Sequence, residues 1–153
     1  MSAVVNLYNK FDRFPMGKKI FSKLVCFKAP YFASVKPVFE ELEKGRCVIS
    51  MKKRRSVQNH LKSVHAIAMC NISELAAGTM MECSIPRNMR WIPSGMTVEY
   101  LKVARTDLIG VCELPDVDWD TVSELPLTVD VTDTNGVLVF RAVITIYISK
   151  KKP

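Results

Sequence analysis

Apolar and polar residues recur along this chain with two different periods, and the switch between them divides it. Residues 3–13 place Val4, Leu7, Tyr8 and Phe11 at helical spacing, and Pro15-Met16-Gly17 then interrupts. Residues 18–28 resume the helical pattern, with Ile20, Phe21, Leu24 and Val25 apolar and Lys18, Lys19 and Lys23 polar. From Phe32 onward strand signals take over. Residues 32–42 and 46–55 predict a strand pair joined through Glu43-Lys44-Gly45. Met96 to Tyr100 alternates at period two, Leu127, Val129 and Val131 share one face, and Asn135-Gly136 predicts a hairpin turn. The last strand sets Leu138, Phe140, Ala142, Ile144, Ile146 and Ile148 on a single apolar face.

One stretch departs from this. Residues 65–81 are too long for a strand and rich in Ala, Met, Leu and Glu. Ala68, Ile72, Leu75 and Thr79 mark a helical stripe, yet neighbouring positions are also small or apolar. A helix apolar on most sides must be surrounded. One such helix followed by long antiparallel strands predicts an α+β architecture, a curved sheet wrapped around the helix. Residues 1–31 then form an N-terminal helical arm and residues 32–153 the body of a single domain. The arm reads as docked on the body, with a membrane-surface helix or a lid over an apolar substrate as the other readings.

Charge narrows the partners without choosing among them. The 22 basic against 15 acidic residues leave +7, which favours polyanions such as a phosphorylated cofactor. No RNA- or DNA-reading motif accompanies the charge, so no nucleic-acid partner is expected. Lys52-Lys53-Arg54-Arg55 reads either as a solvated face or as a bed for phosphates, and the Lys150-Lys151-Lys152 tail as solubilising. Five widely spaced cysteines and no recognisable secretory signal predict reduced thiols in a cytoplasmic protein. No metal-ligand cluster is visible, and Cys70 has no basic partner in sequence to make it a nucleophile. The apolar region around 64–81 carries Asn71 and Glu74, so stable membrane insertion is not expected.

Candidate chemistry concentrates between Asn59 and Gly78, which hold the chain's two histidines, His60 and His65. His60 reads as loop surface. The run Asn59-x5-His65-x8-Glu74 resembles the active-site segment of hotdog-fold acyl-CoA thioesterases, the branch containing the phenylacetyl-CoA thioesterases. Met96 to Ala104 resembles the strand that follows the central helix there, and the likeness in element order spans roughly residues 32–149. Relatives often carry Gly three residues after the Asn and just after the His, where this chain has Lys62, Ala66 and Ile67.

The resemblance implies thioester hydrolysis with Asn59, His65 and Glu74 as the catalytic set. His65 would open the helix, leaving the N–H groups of Ala66 and Ile67 unpaired for a developing oxyanion. Asn59 would position the carbonyl or the attacking water, and Glu74 would act as general base or nucleophile. Nine helical residues between His65 and Glu74 span roughly 13 Å at about 1.5 Å each. One carbonyl cannot be reached by both. The expectation is therefore a homodimer with composite sites, open to further assembly as a dimer of dimers. Lys52, Lys53, Arg54 and Arg55 would hold coenzyme A, which enters as part of the substrate and not as a cofactor; an acyl-carrier thioester is the other expected substrate form. Each residue also has a plainer reading: His65 as a cap, Asn59 as turn chemistry, Glu74 as a wet rim position. The alternative function is a non-catalytic acyl-CoA-binding or regulatory dimer, and a hotdog hydratase or dehydratase ranks below it.

Overall fold

The computed structural model of the chain describes residues 2–151. The expected arm is present as α1 (Ala3–Asp12) and α2 (Gly17–Lys28). Ser2 caps α1 by accepting from the Val4 N–H. The break at Pro15 lets α2 turn back on α1, and Gly17 lies so close under the Phe11 carbonyl that no Cβ would fit.

Six strands follow: β1 (Val38–Glu43), β2 (Arg46–Met51), β3 (Met89–Tyr100), β4 (Leu108–Glu113), β5 (Glu124–Asp133) and β6 (Leu138–Lys150). They pair antiparallel throughout in the spatial order β1-β2-β4-β5-β6-β3, leaving β1 and β3 as edges. The long helix α3 (Ala66–Ser84) lies against one face of this sheet, the hotdog arrangement expected for the chain. Alternation does the sorting: Leu125, Leu127, Val129 and Val131 turn inward along β5 while their neighbours face out. Phe140, Ala142, Ile144, Ile146 and Ile148 do the same along β6. The β5–β6 turn closes where Asp133 accepts from the N–H groups of Asn135 (2.8 Å) and Val137 (2.9 Å), with Gly136 at φ 76°.

The structure shifts several boundaries. The expected strand over 32–42 begins only at Val38, because Pro30–Val35 forms a 3₁₀ turn ahead of it. The second strand of that pair stops at Met51, not 55, since Arg55–Val57 forms another 3₁₀ turn. β4 has no counterpart among the expected strands; six residues interrupted by Gly110 carry too short a pattern to stand out. Gly110 faces the Ile72 side chain of α3 in the core. Among the described residues no helix is long and apolar enough to cross a membrane.

Nearly every turn of α3 is covered. Ile72, Ala76, Ala77, Met80 and Met81 are fully buried, and the one uncovered line runs through Ile67, Cys70, Glu74, Gly78 and Glu82. Those residues recur every three or four positions, so they form a single stripe of the helix.

Candidate active site

The loop before α3 presents His65 as the helix N-cap, and its Nδ1 accepts from the Ile67 N–H at 3.1 Å. A neutral imidazole that accepts at Nδ1 carries its proton on Nε2. His65 Nε2 is therefore a donor directed away from the cap. The same contact corrects one expectation: the Ile67 N–H is taken, so of the two proposed oxyanion donors only the Ala66 N–H is without an acceptor among the described residues.

Asn59 is occupied by its own turn. Its Oδ1 accepts from the N–H groups of Leu61 (2.9 Å) and Ser63 (3.2 Å), and its Nδ2 donates to Ser63 Oγ at 2.8 Å. Within this loop Lys62 sits at φ 58°, the left-handed region that favours Gly. Replacing Lys62 by Gly removes that backbone penalty against a smaller entropic loss. The expected result is a gain of about 0.5–1 kcal/mol, read as a Tm rise of roughly 1–4 °C.

A small pocket of about 180 Å³ opens beside His65, lined also by Ser34, Gln58, Ile67 and Asn71. Asn71 is 5% exposed and its Oδ1 has no partner among the described residues, while its Nδ2 reaches Ser34 Oγ at 3.5 Å. A buried acceptor left unpaired is costly unless something else supplies the donor. Sequence reasoning assigned Asn71 no role; the available signal was a second polar residue inside the same apolar helix as Glu74.

Glu74 lies elsewhere. It is exposed on the uncovered stripe of α3, makes no hydrogen bond or ion pair among the described residues, and lines a separate cavity of about 650 Å³. That cavity is walled by α1 and α2 on one side and by α3, β3 and β6 on the other. Its surface is mostly apolar, through side chains such as Leu7, Leu24, Trp91 and Ile144. Within one chain, then, His65 and the Ala66 N–H stand together at the mouth of α3. Glu74 is nine residues along the helix, roughly 13 Å at about 1.5 Å per residue.

The basic run divides in the same way. Arg54 donates from Nη1 to the Val35 carbonyl (2.9 Å) and from Nη2 to the Ser34 carbonyl (2.6 Å), which fastens the 3₁₀ turn before β1. Both outer nitrogens of Arg54 are thus engaged within the chain. Lys52 and Arg55 are exposed, and Lys53 is half-buried with its backbone N–H on Asp107. Burial pushes the Cys70 thiol up, and the nearby Glu74 adds to the effect, so Cys70 is the wrong kind of thiol for a nucleophile.

A family model described as a domain of unknown function, DUF4442, matches residues 17–148. A crystal structure described only as a genomics target is 42% identical over 97% of this chain and 99% of its own, with a TM-score of 0.85. A Pseudomonas aeruginosa protein of unknown function, described as "Probable Thioesterase", is 19% identical over 90% of this chain and 97% of its own, with a TM-score of 0.74. A thioesterase family protein from Silicibacter pomeroyi is 13% identical over 90% and 100%, with a TM-score of 0.72. These two share the fold. No curated protein matches the sequence.

Proposed function

The chain belongs to the DUF4442 family, and from that footing we propose that it hydrolyses acyl-coenzyme A or a related acyl thioester in sites shared by two copies of itself. The observation that carries this reading is Glu74: a carboxylate with no partner among the described residues, on the uncovered stripe of a buried helix, at an apolar cavity of about 650 Å³. An exposed carboxylate at the rim of an apolar cavity is free to take a proton from a bound water. Proteins of the same fold that bear the name thioesterase support that task being thioester hydrolysis.

In the proposed reaction the thioester carbonyl sits at the mouth of α3. The His65 Nε2–H and the Ala66 N–H stabilise the oxyanion, aided by the positive end of the helix. Glu74 of the second copy takes a proton from water, whose oxygen attacks the carbonyl carbon. The tetrahedral intermediate collapses by breaking the C–S bond, and the thiolate leaves with a proton, giving a carboxylic acid and free thiol. Asn59 acts one step back, holding the turn that presents His65. Lys52, Lys53 and Arg55 form the bed for the phosphates of coenzyme A. No metal or cofactor has a part in this scheme, and a cytoplasmic setting suits the substrate.

Two features support pairing of copies. β3 is a twelve-residue edge strand hydrogen-bonded only to β6 among the described residues, and Ile92 and Tyr100 along it are exposed. The N-terminal part of the uncovered stripe of α3, through Ile67, Cys70 and Glu74, is open to a second copy. A two-fold axis there would set one copy's Glu74 toward its partner's His65.

A second reading, a non-catalytic acyl-CoA-binding or regulatory dimer, is favoured by one observation: the Ile67 N–H is occupied, leaving one free backbone donor instead of two. Thiol release from a panel of acyl-CoAs, measured beside a binding titration, separates them. Turnover is the expected result; tight binding with no thiol released would replace the hydrolase by the binding protein.

A further inference from the structure

We propose that the outward face of α2 docks the protein reversibly on an anionic lipid surface, without inserting a span. A helix that packs one face on a protein body ordinarily turns charged and polar groups outward. α2 departs from that rule. Its inner face buries Phe21, Ser22 and Cys26, yet its outer face carries Ile20, Leu24 and Phe27, the last 88% exposed. At about 100° per residue these three fall within roughly 60° of arc, a continuous apolar strip along the helix. Phe14 (66% exposed) and Met16 (68% exposed) extend the bare apolar surface into the turn ahead of α2. Leu24 stands at one edge of the strip, where it also lines the cavity that holds Glu74.

Lysines border the strip. The same helical spacing sets Lys19 and Lys23 along one side of it and Lys28 along the other. All three are exposed, and none makes a hydrogen bond or ion pair among the described residues. α2 contains no Asp or Glu. Residues 1–36 hold seven of the 22 basic residues and one of the 15 acidic ones, a balance of +6, while residues 37–153 balance to +1. The chain's net charge and its bare apolar surface therefore coincide on the arm. A bilayer interface suits both: apolar side chains sink to the depth of the headgroups while lysines beside them reach the anionic phosphates. Lipid also conforms to a convex helix, which a folded partner would have to match with a groove. A second copy of this chain fits poorly, since a two-fold pairing of this face would set Lys19, Lys23 and Lys28 against their own counterparts. Nucleic acid would meet the lysines but gain nothing from Ile20 and Leu24, which offer a base no ring to stack on.

Co-sedimentation of the full chain with sucrose-loaded vesicles tests the docking. Phosphatidylcholine vesicles with about 40% phosphatidylglycerol should carry the protein down at about 0.1 M salt, whereas pure phosphatidylcholine, or about 0.5 M salt, should leave most of it in solution. Phe27→Ser, at a position exposed enough for the fold to survive, should weaken binding about tenfold and leave Tm unchanged. Lys19→Gln combined with Lys23→Gln should weaken it about thirtyfold, on the order of fivefold for each charge. Lys102→Gln, in the loop after β3, removes one charge far from the arm and should change binding less than about twofold. Absence of binding to the anionic vesicles overturns the proposal; if Phe27→Ser then abolishes self-association instead, the strip belongs to a second copy. Binding that survives Phe27→Ser but not the paired lysine changes also overturns it, because the arm is then a general polyanion surface. So does a loss with Lys102→Gln as large as with Lys19→Gln alone, which would make net charge the cause.

Discussion

Glu74→Gln is expected to lower kcat for thioester hydrolysis by about 10²–10⁴-fold, the range for losing a general base, while KM changes little. The amide keeps the size of the side chain and removes only its capacity to take a proton. Because Glu74 is exposed and makes no hydrogen bond or ion pair within the described residues, the variant should melt with the wild type. Unchanged Tm with collapsed kcat marks a chemical role; unchanged kcat takes Glu74 out of the mechanism. The composite site adds a sharper test. His65→Ala should also be inactive, since it removes the Nε2 donor and the cap on Ile67. Mixed in equal amounts and allowed to re-pair, the two inactive variants should recover about one quarter of wild-type activity. Half of the dimers are then mixed, and each mixed dimer has one intact site of two. Mixed dimers that form without any recovery would confine the chemistry to a single chain.

Phe21→Ala should destabilise the protein by about 3–5 kcal/mol, the usual range for emptying an aromatic site in a packed core. Phe21 is 1% exposed although it belongs to the arm. Its ring meets Tyr8 of α1 edge-on, with centroids 5.2 Å apart at 79°, and Phe39 of β1 in the same manner at 5.2 Å and 84°. Such pairs add to area burial alone. The Tyr8 hydroxyl donates to the Glu40 carbonyl at 2.7 Å, and the Ser22 hydroxyl accepts from the Phe39 N–H at 3.0 Å. Burial is the main reason the Tyr8 hydroxyl is pushed far above its ordinary pKa, helped by Asp12 and the carboxylates of β1. Together these contacts make the arm part of the core. Denaturant unfolding should show one transition in the wild type and a much lower midpoint in Phe21→Ala. A loss under about 1 kcal/mol would mean that the arm folds independently of the sheet.

These contacts mark where local reading ends. The helical pattern of Val4, Leu7, Tyr8 and Phe11, the break at Pro15 and the pattern of α2 were legible, and docking on the body was the leading reading of the arm. Which arm residue reached deepest was not legible. Phe21 and Ile20 look alike in sequence, yet the first is buried and the second exposed, because only the sheet's position decides between them. β4 escaped notice because six residues offer few periods to count. The 3₁₀ turn at Pro30–Val35 escaped because its support is the Arg54 guanidinium, some twenty residues away.

The candidate site splits along the same line. Sequence alone determined that a long apolar helix begins at a histidine cap and carries a carboxylate midway, since caps and the 3.6-residue period act over one or two turns. It also determined the inward alternation of β5 and β6, a property of neighbouring residues. Tertiary structure decided which stripe of α3 stays uncovered, that Asn59 is taken up by its own turn, and that the Ile67 N–H is no longer free. It alone formed the cavity between arm and body and left the Asn71 Oδ1, beside His65, without a partner among the described residues. Coverage and vacancy arise where distant segments meet, and no local pattern of side chains encodes the gap that packing leaves between them.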